Sequence, residues 1–124
     1  MPRTEIVFYR EAGDWVPVRE WFRELLLADP RAHSNCVGRI ERLAESGHEL
    51  RRPISELLRD GIHGLRARRG HVNYRVLYFF HGRQVAVLVH ALRKESSVPE
   101  TDIRLALNRK AAFQQAPELH TPRD

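Results

Sequence analysis

The chain has 124 residues, of which 42% are hydrophobic and 30% charged, with a formal net charge of +5. This length suits one domain and is short for two, and the chain has neither an apolar run that would span a membrane nor a signal-peptide pattern. The single cysteine, Cys36, excludes an internal disulfide framework and a cysteine-cluster zinc site. We therefore expect a soluble, cytoplasmic protein with a single domain over residues 1–124.

The first part of the chain is predicted to form a strand followed by two helices. Residues 5–10 are β-branched and aromatic, which indicates a strand. Asp29-Pro30 is typical of a helix N-cap followed by proline in the first turn, so it predicts a second helix, which Gly47 ends. The first helix is predicted from apolar residues that recur at helical spacing, namely Val18, Trp21, Phe22, Leu25 and Leu26.

The second part of the chain changes to the alternation of strands. Residues 52–61 are interpreted as a connector with a short turn through Leu57 and Leu58. Glycine-containing turns then separate three predicted strands, over residues 62–68, 72–80 and 84–93.

A last helix and a tail complete the predicted fold. Pro99-Glu100 opens the helix, which runs to about Gln115, and residues 116–124 are expected to be a flexible polar tail. The order β-α-α-β-β-β-α predicts one α+β domain, in which a small antiparallel meander is packed by helices.

Basic residues concentrate in the middle of the chain. From Arg59 to Lys94 there are eight Arg or Lys residues and one acid, Asp60, whereas acids slightly outnumber bases elsewhere. A genomic bias toward arginine would explain the 19 Arg against two Lys, but it would not explain why acids are missing from this segment. The distribution favours a polyanionic partner.

Motifs in and after this basic segment resemble the RelE/ParE toxin superfamily. Residues 61–66, Gly-Ile-His-Gly-Leu-Arg, and residues 73–80, Asn-Tyr-Arg-Val-Leu-Tyr-Phe-Phe, resemble its G-L-Y-E-L-R and Y-R-V-F-Y-F-F core. The series from His90 to Lys110, and Pro-Glu-Leu-His-Thr at 117–121, resemble the phage-derived, HigB-like branch. The resemblance implies a RelE-like fold.

The resemblance also implies a toxin of a type II toxin–antitoxin system. RelE-like and HigB-like members are ribosome-dependent mRNA endonucleases, whereas ParE-like relatives inhibit DNA gyrase, and the fold does not separate the two activities. The leading expectation is a metal-independent endoribonuclease that needs no cofactor and acts on ribosome-bound mRNA. The alternatives are a non-nucleolytic gyrase inhibitor and an inactive antitoxin-binding relative. The implied partner is a cognate antitoxin, usually a helix-turn-helix DNA-binding protein, in a hetero-oligomer with the toxin.

Metal-free RNA cleavage needs cations at the phosphate, a base for the attacking 2′-hydroxyl and an acid for the leaving oxygen. Guanidinium groups match phosphate oxygens with their forked donors. Arg66, Arg75 and Arg93 lie on three neighbouring predicted strands, so we expect them to converge on one surface. The candidate catalytic residues are Arg66, Arg75, His90, Arg93 and Lys94.

His90 is the best titratable candidate, because an unperturbed pKa of about 6.5 suits acid or base work near neutrality. The alternative, a histidine hydrogen-bonded within the sheet, stays open; Lys94 is a further candidate and Glu95 a weaker one. Arg68 and Arg69 lie at a turn and are expected to contact RNA phosphates. Phe113 is the candidate for stacking on a base, although packing on the sheet is the alternative that its helix favours.

The chain departs from the family pattern in two places. Gly64 stands where the motif has a Glu, which removes a carboxylate that would position Arg66 or contact substrate. The last helix also lacks the Tyr of archetypal ribosomal nucleases. Acid–base chemistry is therefore expected from His90, Lys94 or a group that the sequence does not identify.

The sequence offers two surfaces for the implied antitoxin. One is the region of Arg66, Arg75 and Arg93. The other is the N-terminal helical hairpin, where apolar side chains are candidates for exposure, namely Trp15, Val16 and Trp21. The sequence does not choose between them.

Overall fold

The computed structural model describes residues 3–94 and 96–123. Within them, the helices are α1 (Pro17–Ala28), α2 (Pro30–Ser46) and α3 (Glu100–Gln115), and a short 3₁₀ helix (Gly47–Glu49) follows α2. The strands are β1 (Glu5–Phe8), β2 (Ser55–Arg59), β3 (Ile62–Arg69), β4 (Val72–His81) and β5 (Val85–Arg93). The predicted α+β class is confirmed, and so is the broad order of elements, with one strand added.

The strands form one five-stranded sheet in the order β1-β5-β4-β3-β2. β2 to β5 make an antiparallel meander, as the sequence predicts for the last three of them. β1 pairs parallel with β5, so the complete sheet is mixed. β1 and β2 are its two edges.

β2 lies in the segment predicted to be a connector, and that prediction is wrong for Ser55–Arg59. Asp60 and Gly61 form a two-residue turn with positive φ angles of 50° and 84°, and Arg59 pairs with Ile62 across it. Positive φ at both central residues is the hairpin turn that Asp-Gly favours. The turn therefore folds β2 back along β3.

The helical hairpin has the predicted signals at its ends. Pro17 begins α1, and the Asp29 side chain caps α2 by accepting a hydrogen bond of 3.2 Å from the Ala32 amide. Gly47 ends α2 with a φ of 52°, in a place where a Cβ would collide with the Thr4 hydroxyl. The glycine is thus required both by its backbone conformation and by the approach of the N-terminal segment.

The sheet is covered on both faces. α1 and α2 pack on one face, where Phe22 and Leu43 meet Leu65, Tyr78 and other buried residues. α3 packs on the other face, where Ala106 and Phe113 meet Leu77, Phe79 and other residues of a second cluster. Within residues 3–94 and 96–123, no helix has the length and apolar character needed to cross a membrane.

A bulge in β5 determines which side chains reach each face. Leu77 pairs with His90 and Tyr78 pairs with Leu88, so Val89 is an extra residue in β5. Val89 packs in the cluster under α3, and the alternation then restarts with His90 and Leu92 also on that face. The bulge thereby reverses the alternation of the last residues of β5.

The end of the chain packs on the molecule, where the sequence predicts a flexible tail; Asp124 lies outside the described residues. The Arg10 amide donates to the His120 carbonyl at 2.9 Å, and the His120 ring stacks on Tyr9 with centroids 5.0 Å apart. The Arg10 guanidinium, which is buried, donates to the Thr121 carbonyl at 3.0 Å. These contacts hold residues 116–123 beside the end of β1.

Candidate functional site

Arg66 and Arg75 lie directly opposite each other on β3 and β4. Their register places them on the α3 side of the sheet, because Arg75 alternates with Tyr74 and Val76 of the α1–α2 side. Arg66 is 41% exposed, whereas Arg75 is partly buried and its Nη1 has no hydrogen-bond partner among the described residues. A pair of guanidinium groups with an unsatisfied donor is suited to hold an anion.

Burial is the main reason that the pKa of Arg75 is lowered, and the charge of Arg66 lowers it further. The nearby Glu56 carboxylate acts in the opposite direction. Because a guanidinium stays protonated at neutral pH, the lowered pKa reports a positive charge that its surroundings do not fully compensate. A bound phosphate would supply the missing negative charge.

Glu56 supplies a carboxylate beside these arginines, and it is not among the site residues predicted from the sequence. Its Oε2 lies 3.8 Å from Arg66 Nη1, and the residue pairs directly with Gly64 on β3. Leu58 lies over Gly64, since a Cβ there would be 3.4 Å from Leu58 Cδ1. Gly64 replaces the Glu of the motif, and Glu56 on the neighbouring strand places a carboxylate next to that position. The Asp60-Gly61 turn signal would have predicted β2 and so placed Glu56 next to β3.

His90 is held by a carboxylate of α3. Its Nε2 lies 2.6 Å from Asp102 Oδ1, and the two side chains are 18% and 25% exposed. Arg75 pairs with Leu92 of β5. His90 is therefore the diagonal neighbour of Arg75 on the same face, and the Cβ atoms of such neighbours are typically about 7 Å apart. The sequence leaves two interpretations of His90 open, a titratable group of the site or a histidine hydrogen-bonded within the sheet. The structure shows a hydrogen bond to helix α3, and the strand register places His90 diagonal to Arg75.

The expectation that Arg93 converges with Arg66 and Arg75 is wrong. Arg93 pairs with Tyr74, whose ring packs 6.0 Å from Trp21 of α1, so Arg93 lies on the opposite face. The physical reason is the bulge at Val89, which reverses the alternation of β5.

Lys94 extends the ladder past the end of β5. Its amide donates to the Asn73 carbonyl at 3.0 Å, and the alternation places it on the face of His90 and Leu92. Lys94 is exposed. Of the five predicted catalytic residues, the structure thus brings Arg66, Arg75, His90 and Lys94 to one face. Glu95 lies outside the described residues.

The three predicted RNA-binding residues lie in different places. Arg68 is exposed, and its Nε donates to the Gly70 carbonyl at 2.9 Å. Arg69 faces the α1–α2 side, where its Nε lies 3.5 Å from Asp29 Oδ1. Phe113 is 3% exposed and packs edge-to-face on Phe79, so its ring is not available to a base and that prediction is corrected.

Of the three residues predicted to expose an apolar surface at the helical hairpin, only Trp15 is largely exposed. Trp15 is 54% exposed, whereas Val16 is buried. Trp21 packs against Phe22 with ring centroids 5.3 Å apart. On the outer side of α1, Leu27 is 83% exposed.

The face between β2 and α3 therefore combines four chemical groups. Arg66 and Arg75 are placed to hold an anion, Glu56 can accept a proton, and His90 can donate or accept one. Among the described residues, no three His, Cys, Asp or Glu side chains are grouped closely enough to hold a metal ion.

Comparison with known families places this face within a matched region. The family model described as phage derived protein Gp49-like (DUF891), a family of RelE-like and toxin-like proteins, matches residues 20–111. The match runs from α1 into α3 and includes Glu56, Arg66, Arg75 and His90. No curated protein matches the chain.

Proposed function

Because the chain belongs to the Gp49-like family of phage-derived proteins, we propose that it is the toxin of a type II toxin–antitoxin system, of the HigB-like kind, which cuts mRNA on the ribosome. The observation that carries the proposal is the Arg66–Arg75 pair, in which Arg75 Nη1 is buried and has no hydrogen-bond partner within residues 3–94 and 96–123. A scissile phosphate would satisfy that donor and compensate the charge of both guanidinium groups.

The proposed reaction is an in-line displacement at phosphorus. Glu56 takes the proton of the 2′-hydroxyl, and the 2′-oxygen forms a bond to the phosphorus while the bond to the 5′-oxygen breaks. Protonated His90 gives its proton to that 5′-oxygen. The products are a 2′,3′-cyclic phosphate and a 5′-hydroxyl, so that atoms and charges balance without a cofactor. Arg66 and Arg75 stabilise the negative charge that develops on the phosphate oxygens.

The order of the strands supports these roles. β2 and β5 flank β3 and β4, so Glu56 and His90 stand on opposite sides of the two arginines. An in-line displacement needs its base and its acid on opposite sides of the phosphorus. Asp102 would hold the imidazole in one orientation and stabilise its protonated form. This arrangement favours a nuclease over a non-nucleolytic gyrase inhibitor.

The proposal includes two partners. The basic residues of the α3 face near the Arg66–Arg75 pair, such as Lys94, would meet phosphates of ribosomal RNA around the message. A cognate antitoxin would neutralise the toxin by covering the Arg66–Arg75 face, because its acidic side chains would then occupy the place of the phosphate.

Primer extension on a defined mRNA in a reconstituted bacterial translation system tests the proposal. We expect cuts only when the message is being translated, and we expect Arg75→Ala to abolish them with the fold intact by circular dichroism. Arg83→Ala removes an equal charge from an exposed turn and should cut like the wild type. An intact message would contradict the proposal, and DNA damage that depends on gyrase would then indicate the ParE-like alternative.

A further inference from the structure

A cleft lies at the β2 edge of the sheet, on the α1–α2 side. It has a volume of about 540 Å³, and its lining includes Arg51, Arg52, Ser55 and His63. This volume is in the range of small-molecule sites in proteins. Of its lining residues the proposed reaction uses only Glu56, and we call it the His63 cleft.

The His63 ring belongs to a packed group of aromatic side chains next to the cleft. The His63 ring stacks on Tyr78 with centroids 5.2 Å apart and planes inclined by 16°, and the edge of Phe80 supports it at 5.3 Å. The His48 ring in turn stacks on Phe80 at 3.7 Å. His63 is only partly buried, so this layered group ends in an imidazole that lines the cleft.

Among the polar groups of the cleft, the His63 ring is available to a ligand, whereas Ser55 Oγ is hydrogen-bonded to the Tyr78 hydroxyl. In the part of the chain that the structure describes, neither ring nitrogen of His63 takes part in a hydrogen bond. Burial lowers the pKa of His63, and the positive charges of His48, Lys110 and Arg51 lower it further, so the ring is neutral at pH 7 and offers one donor and one acceptor. Arg51 and Arg52 are exposed beside it.

We propose that the His63 cleft binds a base of the RNA substrate close to the scissile phosphate, with the base stacked on the His63 ring. The inference rests on the proposed function for the identity of the ligand. β2 is an edge strand, so an RNA strand can pass around it from one face of the sheet to the other. Glu56 connects the two places, because it lines the cleft and also contacts Arg66.

Fluorescence anisotropy with a labelled 2′-O-methyl RNA hexamer, which has no free 2′-hydroxyl to attack the phosphate, tests the inference. We expect His63→Ala to weaken binding about tenfold, the loss typical of one stacked base. His63→Phe keeps an aromatic face and should bind within about threefold of the wild type. His71→Ala, at an exposed turn, is the matched control and should bind normally.

Unchanged affinity of the His63→Ala protein would overturn the inference, and so would an equal loss in the alanine and phenylalanine variants. If His63→Ala binds RNA normally but loses the antitoxin, the cleft belongs to a protein partner and the inference is equally wrong. Thermal unfolding of each variant separates a folding defect from a binding defect. The hexamer assay measures binding without cleavage, so a failure of the nuclease proposal would leave its result interpretable.

Discussion

Glu56 is the residue whose position most changes the interpretation of the site. Its carboxylate lies between the exposed Arg52 and Arg66, at 3.7 and 3.8 Å, and opposes the repulsion between Arg66 and Arg75. If the Glu56 carboxylate were absent, the Arg52 and Arg66 guanidinium groups would attract RNA phosphates more strongly and the affinity for RNA would rise. The proposed reaction nevertheless needs a base at this position. The two effects of Glu56 therefore have opposite signs and can be measured separately.

Replacing Glu56 with Gln should lower the single-turnover rate of mRNA cleavage by about 10²- to 10⁴-fold, the usual contribution of a general base. Binding of the 2′-O-methyl hexamer should stay the same or become tighter, because a negative charge is lost beside Arg66. Glu41→Gln, on the exposed side of α2, is the control and should change neither quantity. A parallel loss of rate and affinity would contradict the assignment of Glu56 as the base.

Asp102 should act as a positioning residue through His90. Asp102→Asn keeps the size of the side chain but cannot stabilise a protonated imidazole as a carboxylate does, so we expect cleavage to slow about a hundredfold with RNA affinity unchanged. Asp14→Asn, at an exposed carboxylate, is the comparison. An unchanged rate of cleavage would mean that the pair only joins α3 to β5.

At the scale of elements, the sequence predicts the long, regular segments and misses the short, irregular ones. β3 and β4 alternate over eight and ten residues, and α1 and α2 carry both apolar periodicity and proline at their starts. β2 has five residues, is an edge, and exposes Leu57, so its pattern resembles a loop. Three of the four groups of the site were thus predictable, because Arg66, Arg75 and His90 lie in predicted strands, whereas Glu56 depends on β2.

The junction of α1 and α2 depends on Asp29, which caps α2 and contacts Arg69. The hydrogen bond from the Ala32 amide is the main reason that the pKa of Asp29 is lowered from 3.8. Asp29→Ala should therefore lower the melting temperature by a few degrees at pH 7. Asp29→Asn should lose less, because its amide oxygen can still accept the hydrogen bond.

The pH dependence of this contribution has a definite sign. A carboxylate with a lowered pKa in the folded state stabilises the protein above its unfolded pKa and loses that effect as the pH falls through the folded pKa. The difference in melting temperature between wild type and Asp29→Asn should therefore shrink below about pH 4. A difference that persisted unchanged at pH 3 would show that the charge is not its source.

At the scale of the whole molecule, the sheet separates two kinds of surface. One face carries Arg66, Arg75 and Lys94 beside α3, and the other carries the helical hairpin and the His63 cleft. The charge pattern of the sequence predicts a basic middle segment, but it cannot assign each residue to a face, because that depends on strand register. The bulge in β5 determines the face of the sheet on which Arg93 lies.

Binding of the RNA hexamer should depend on salt as expected for about three phosphate contacts. If Arg66, Arg75 and Lys94 each neutralise one phosphate, the slope of log affinity against log salt concentration should be about −2. Arg75→Ala should make the slope shallower by about 0.7, whereas Arg83→Ala should leave it unchanged. A slope near zero would contradict an electrostatic interface on this face.

The bulge at Val89 also makes β5 unequally tolerant of changes in length. Because Val89 is the extra residue against β4, its deletion would give a regular strand in which His90, Leu92 and Lys94 keep their face. Deletion of Leu92 would instead place Lys94 on the opposite face. At the level of the gene, loss of codon 89 would leave His90 and Lys94 on the face of the arginine pair, whereas loss of codon 92 would move Lys94 away from it.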